Sequence, residues 1–291
     1  MVLHFTPHPA LQHFVKKIIL VRYQLDASQP RPTTPFPPQP AHCLYFYPYD
    51  KIISRNYADQ KIEEQPHATL IGPQLSRVDL TMGYNMLVIM VLFQPGGMHR
   101  LLGIPMTEML NQPFDAASIL GKDIDEITEQ LNEVVDFNQM IAIVQNYLLY
   151  KSKNTKAILP IEQVLAKMAK LERFSNVDHL AKEAFVSVRQ LERQFKERIG
   201  ISPKLYARQT RFSKAWIMHE TNPKLSWSQI AYACHYADQM HMIRDFKEFV
   251  NGTPSILKSD LEKTHLRACL NFFVLLQMAR FGVNFVPKML M

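Results

Sequence analysis

The apolar positions of this chain follow two different periods. Through the first third they fall into short runs broken by turn residues, and several of these runs predict β-strands. The segment from Leu11 to Leu25, with HFVKKIILVRYQL at its heart, predicts an early strand. Further strands are predicted at His42–Pro48, Ile52-Ile53, Ala68–Ile71, Val78–Thr81 and Met86–Phe93. So many short strands in so little chain imply a small barrel or sandwich. Residues 30–40 carry six prolines, which cannot hold a helix or a central strand. They predict an extended lip or surface loop, with a P-x-x-P docking ligand as the alternative. Pro95-Gly96-Gly97 reads as a turn, since no Lys-Ser/Thr follows to make a phosphate loop.

From Asp123 the period becomes helical. Asp123-Ile-Asp-Glu126 and Asp136-Phe-Asn-Gln139 both have capping-box spacing, so two helices are expected. Ile127, Val134, Ile141 and Leu148 recur along them, with Ile124, Leu131 and Val144 alongside. Such a stripe is expected to be core of its own domain, with a dimer seam as the alternative, and both hold if different faces serve each. Residues 151–156, KSKNTK, are polar and aperiodic and mark an interdomain linker. Pro160 then opens a helix carrying Ile161, Val164, Leu165, Met168 and Leu171.

Residues 175–257 hold two segments of one plan: a short capped helix, a tight turn, and a helix with one apolar and one polar face. In the first, Ser175–Asp178 caps a helix burying Leu180, Ala181 and Ala184, and Phe185-Val186 turns. Ser187 and Gln190 form the next capping box, and Leu191 and Phe195 share the inward face. In the second, Ser226 and Gln229 cap a helix with Ile230, Ala231 and Cys234, and Cys234-His235-Tyr236 turns. Asp238 caps a last helix that buries Met242 and Phe246. This is the helix-turn-helix plan, whose second helix enters the major groove. Between the units, Ser202-Pro203 starts a helix running to about Glu220, roughly 27 Å long at 1.5 Å per residue. That is near the ~34 Å separating successive major grooves.

These residues resemble the DNA-binding domain of the AraC/XylS family of bacterial transcription regulators. The resemblance is carried by Leu180-Ala181, Ser187, Arg189, Leu191, Arg193, Phe195-Lys196, Gly200 and Ser202-Pro203. It continues through Arg211, Ala215, Ile230-Ala231, Asp238, Arg244, Phe246-Lys247, Gly252 and Thr253-Pro254. His235 stands where the family has glycine, and Met242 where it has Phe or Leu. The resemblance implies Ser187, Arg189, Glu192, Arg193 and Lys196 at DNA from the first unit, and Gln239, Met240, Ile243, Arg244 and Lys247 from the second. Arginine can pair with guanine and glutamine with adenine, while Lys196 and Lys247 suit phosphates. A second, shorter resemblance lies in Leu70–Gln74, Val91–Gly97 and Leu102–Pro105. It is to the β-rich N-terminal domain of one branch of the same family, and implies an effector-sensing or regulatory role.

Charge follows this division. Lys+Arg against Asp+Glu is 10 to 14 in residues 1–150, 19 to 10 in 151–258 and 4 to 2 in 259–291. The basic excess falls in the segment expected to meet a polyanion. The expected organisation is α+β: a β-rich regulatory domain ending in two helices at 1–150, an all-α double helix-turn-helix domain at 151–258, and a helical extension at 259–291. In that extension Leu266, Leu270, Phe273, Val274 and Met278 are helically spaced.

Three scattered cysteines, Cys43, Cys234 and Cys269, show no CxxC pair and suit a reducing compartment. Neither a signal peptide nor a run of ~20 apolar residues is evident, so a cytoplasmic protein without membrane contact is expected. His42, His67 and His99 lack the His-x-His spacing of a cupin-type metal site, so no metal or other cofactor is expected. Tyr45, Tyr47, Phe93 and Met98 are the candidates to line any pocket in the barrel. The expected partners are double-stranded DNA, a small-molecule effector, RNA polymerase and a second copy of the chain. The reading is a DNA-binding transcription regulator and not an enzyme. The alternative is a DNA-alkylation-repair enzyme using Cys43, and a third reading is a ligand-binding module with no DNA role.

Overall fold

The computed structural model describes residues 1–169 and 176–262. The N-terminal part is built on two antiparallel sheets. The larger joins β1 (Val2–Phe5), β2 (Val15–Gln24), β9 (Asn85–Phe93), β4 (Cys43–Phe46), β7 (Ala68–Ile71) and β10 (Pro113–Asp115), in that order. The smaller runs β3 (Thr33–Phe36), β8 (Val78–Thr81), β5 (Ile53–Asn56) and β6 (Ile62–Glu64).

The continuous apolar runs have a simple cause: the large sheet is buried on both faces. Strand residues alternate sides. Leu44, Phe46, Leu87, Ile89, Val91 and Phe93 therefore join a core on one face. Cys43, Tyr45, Val88, Met90 and Leu92 face the other way, towards the small sheet.

Helices α3 (Asp123–Glu133) and α4 (Phe137–Lys151) cover the first face. Ile124, Ile127, Leu131, Ile141, Val144 and Leu148 are buried there and Val134 is partly so, which assigns the stripe to the domain's own core. Asp136 caps α4 by accepting from the Gln139 amide. Asp123 does not cap α3: the cap position is Lys122 and Asp123 lies inside the first turn, where its charge still complements the helix dipole.

The proline-rich segment differs from a plain loop. Its centre is strand β3, which pairs with β8 alone. An edge strand tolerates proline because one of its sides needs no ladder donor. Pro95-Gly96-Gly97 leads into α1 (Gly97–Leu102), with Gly96 at φ 76° as its N-cap. A short α2 (Ala116–Leu120) follows β10.

The C-terminal part is helical: α5 (Ile161–Ala169), α6 (Val177–Glu183), α7 (Val188–Ile199), α8 (Pro203–Thr221), α9 (Trp227–Ala233), α10 (Gln239–Val250) and α11 (Pro254–Glu262). Two cores divide it. One gathers Leu165, Leu180, Leu191, Phe195 and Tyr206, and the other Phe212, Trp216, Ile230, Met242 and Phe246. Helix α8 contributes to both, so it ties them together. Helix α11 runs across position 258 to Glu262. Leu171, Ser175, Cys269 and the expected helix over 266–278 lie outside the described residues.

Both helical cores dock on the N-terminal part. A 3-10 turn at Met106–Met109 and helix α1 meet α7. Gly200, at φ 89°, lets this approach happen, since a Cβ there would stand 2.5 Å from the Met106 carbonyl oxygen. His42 Nε2 lies 3.1 Å from the Ile199 carbonyl. At the other end α11 packs against β3, and Phe36 rests on the second helical core.

Candidate nucleic-acid interface and cavity

The two helix-turn-helix units are built from the same local chemistry. Asn176 caps α6 through the His179 amide, and Ser187 and Gln190 close a capping box on α7. Ser226 and Gln229 close the same box on α9, and Asp238 caps α10 through the His241 amide at 2.6 Å. Each box satisfies amides that would otherwise lack partners at a helix start.

The turns match bond for bond. Val186 N donates to Ala181 O at 3.0 Å, and Tyr236 N to Ala231 O at 2.9 Å. The turn residue is left-handed in both, Phe185 at φ 55° and His235 at φ 59°. His235 therefore adopts the conformation for which the family uses glycine. Neither side chain compensates by burial, for both are exposed.

On α7, Leu191 and Phe195 are buried, whereas Ser187, Arg189, Glu192, Arg193 and Lys196 are all exposed. On α10, Met242 and Phe246 are buried with no visible cost to packing from methionine. Met240, Arg244 and Lys247 are exposed, and Gln239 and Ile243 are half-buried. Gln239 is already engaged, since Ser228 Oγ lies 2.6 Å from its Oε1. The structure thus brings each set of expected DNA-facing residues onto one open helix face.

The strut joining the heads spans Pro203–Thr221, with Ser202 accepting from the Leu205 amide at its start. From it Arg208 reaches Asp245 and Glu248 of α10, with Nη2 2.7 Å and 2.5 Å from their oxygens. Asp245 is buried, so this arginine provides the countercharge that a buried carboxylate requires. The pairing fixes α10 on the strut.

Between the two sheets lies a cavity of about 410 Å³, within the range of small-molecule sites. Tyr45 and Tyr47 line it, as the sequence suggests. Phe93 and Met98 do not: strand alternation turns Phe93 to the opposite face, and Met98, on α1, joins the core there. Gln39, Cys43, Ser54 and Gln65 complete much of the wall. Sequence reading missed Gln39 and Gln65 because they follow β3 and β6, two strands that gave no periodic signal. Along β8 and the residues before it, Gln74, Ser76, Val78 and Leu80 line the cavity. Arg77, between them, turns to the helical domain, where its amide donates to Phe249 O and its guanidinium to Asp260.

The three histidines considered for metal have separate roles. His42 meets Ile199 O, His67 Nδ1 meets Tyr47 O, and His99 Nδ1 meets Ile104 O. Cys43 and Cys234 are both buried, and burial pushes the Cys234 thiol up to about 11.

Residues 180–259 match a family described as a helix-turn-helix domain, and residues 3–115 one described as a domain of unknown function, DUF6597. The C-terminal domain is thus a helix-turn-helix DNA-binding domain. Its two matched units on one connecting helix agree with the resemblance to the AraC/XylS family. No curated protein sequence matches the chain significantly. Among solved structures, ToxT from Vibrio cholerae is similar at 15% identity, over 84% of this chain and 98% of that one, with a TM-score of 0.45. The DNA-binding domain of AdpA, solved with a target DNA, is 22% identical over 35% of this chain and 92% of its own, with a TM-score of 0.33. CuxR, an AraC-like activator, is 13% identical over 75% and 87%, with a TM-score of 0.23.

Proposed function

We propose that this chain is a sequence-specific transcription regulator whose N-terminal domain senses a small molecule and passes its presence to the DNA-reading helices. The observation that carries the DNA-reading part is the pair of matched helix-turn-helix units with exposed faces bearing Arg189, Arg193, Arg244 and Lys247. Sensing is supported by the cavity between the sheets. Its wall and the clamp on the helical domain share one short segment leading into β8: Ser76 and Val78 line the cavity, while Arg77 holds Phe249 and Asp260. A ligand that shifts Val78 moves Arg77 with it, and so biases the position of the second head.

Residues 1–150 form the sensing domain in this reading, and 151–258 the reading domain, with 259–291 as an appendage. RNA polymerase and a second copy of the chain are further partners of a regulator acting in the cytoplasm. Among the described residues no helix is long and apolar enough to cross a membrane. No catalytic step is assigned: Cys43 serves as a wall residue of the cavity, and alkyl transfer from methylated DNA to the chain, lost in Cys43→Ser, would overturn that assignment.

Selection of bound sequences from a random duplex pool by the full-length chain tests DNA reading. Two short motifs about one helical turn apart are expected. Salt-sensitive binding with no enriched sequence would refute sequence-specific reading.

A further inference from the structure

The lining of the cavity specifies the class of molecule that fits, on the sensing role proposed above. Its floor and sides are apolar, formed by Ile71, Val88 and Leu92. Tyr45 and Tyr47 lie parallel on one wall, with ring centroids 5.9 Å apart and planes 5° apart, a surface suited to a flat ring.

Two buried polar atoms of this lining have no partner among the described residues. Gln65 is only 3% exposed; its Nε2 donates to Ser54 Oγ at 2.7 Å, yet its Oε1 is buried without a donor. Gln39 Nε2 is likewise buried without an acceptor. A buried amide group left unpaired is costly, so both atoms await a guest that supplies what they lack.

Charge separates the remaining options. The charged residues of the lining are Asp59, Lys61 and Glu63, on and beside the β5–β6 hairpin. Lys61 is exposed and its ammonium is held by Glu63 at 2.6 Å. Among the described residues the cavity wall therefore provides no unneutralised cation, and a carboxylate, sulfonate or phosphate would be desolvated there without a countercharge.

We infer that the cavity binds an uncharged, mainly apolar ring compound that carries a hydrogen-bond donor for Gln65 and an acceptor for Gln39, as a phenol, alcohol or amide does. An anionic ligand is selected against.

Two fluorescent probes with the same ring system test this on the full-length chain. N-Phenyl-1-naphthylamine is uncharged and carries one N–H; 8-anilino-1-naphthalenesulfonate adds a sulfonate. Because the sulfonate also binds basic surfaces, occupancy of the cavity is read by the slowing of Cys43 alkylation by N-ethylmaleimide, followed by peptide mass. The neutral probe should protect Cys43 at a concentration at least about tenfold lower than the sulfonate. Gln65→Leu should weaken that protection about fivefold, the loss of one hydrogen bond, with an unchanged melting temperature of the free chain as the folding control. Equal or better protection by the sulfonate would overturn the ligand class while leaving a working cavity. An unchanged affinity in folded Gln65→Leu would remove Gln65 from the site. Failure of both probes to protect Cys43 would overturn the sensing role itself.

Discussion

Arg77 Nη1 lies 2.7 Å from Asp260 Oδ2, a bond that joins the residue leading into β8 of the N-terminal domain to the last described helix of the DNA-binding domain. Asp79 holds the same guanidinium at 2.7 Å, and Tyr57 lies beneath it at 4.7 Å. Arg77 is buried and its charge is sustained by these partners, which together outweigh the desolvation that opposes it. Asp260→Asn removes one partner and leaves Arg77 paired with Asp79. The interdomain contact should weaken by about 1–2 kcal/mol. Faster cleavage in residues 151–160 under limited proteolysis, at an unchanged helical content, is the expected readout. Arg77→Ala is the harsher change, since it strands the carboxylate of Asp79 and should destabilise the whole chain by roughly 3 kcal/mol.

The two reading heads should respond separately to substitution. Arg193→Ala and Arg244→Ala should each cost about 1–3 kcal/mol on the best duplex and relax preference at different positions of it. Lys196→Ala should instead weaken all duplexes alike and lower the salt dependence of binding by about one released counterion. Titrations at several salt concentrations distinguish the two behaviours.

His235 occupies a left-handed position, at φ 59°. A side chain there costs about 1–2 kcal/mol, part of which a glycine loses again through its freer unfolded chain. His235→Gly should raise stability by roughly 0.5–1 kcal/mol in thermal or urea unfolding. A decrease would show that the imidazole makes a contribution of its own.

Acid should loosen the first head. His99 is enclosed between α1 and α7; its Nδ1 donates to Ile104 O, which leaves Nε2 as an acceptor 3.4 Å from Lys156 Nζ. Burial foremost, then the charges of Lys156 and Arg198, lower its pKa below the ordinary 6.5, against the pull of Ile104 O and of Glu197. Below pH 6.5 the unfolded chain takes up a proton that the folded one resists, so stability falls as pH drops from there towards the lowered value. Melting temperatures between pH 7.5 and 5 should decline less steeply in His99→Gln than in the parent chain.

Much of this was legible in the amino-acid sequence. Ala68–Ile71 and Val78–Thr81 are strands with the predicted bounds, and both capping boxes of the reading heads form as their spacing requires. These features depend on neighbours within four residues. What escaped depends on distant contacts. Strand β3 exists because β8 lies beside it, and three-residue β6 because β5 does. Asp123 missed its capping role because Lys122 already extends the turn from Gly121. The cavity wall was half found: Tyr45 and Tyr47 could be picked by type, but Gln65 could not, since only the tertiary fold buries it.

Strand β3 has one further consequence. It forms the outer edge of the small sheet, and its Pro35 has no amide hydrogen to offer to a neighbour. An open edge normally invites strands from other molecules to extend the sheet. Here Pro35 blunts that edge, while Pro37 and Pro38 just beyond it line the cavity. With α11 packed against the same strand, the sheet that walls the cavity ends without offering a template for fibre growth.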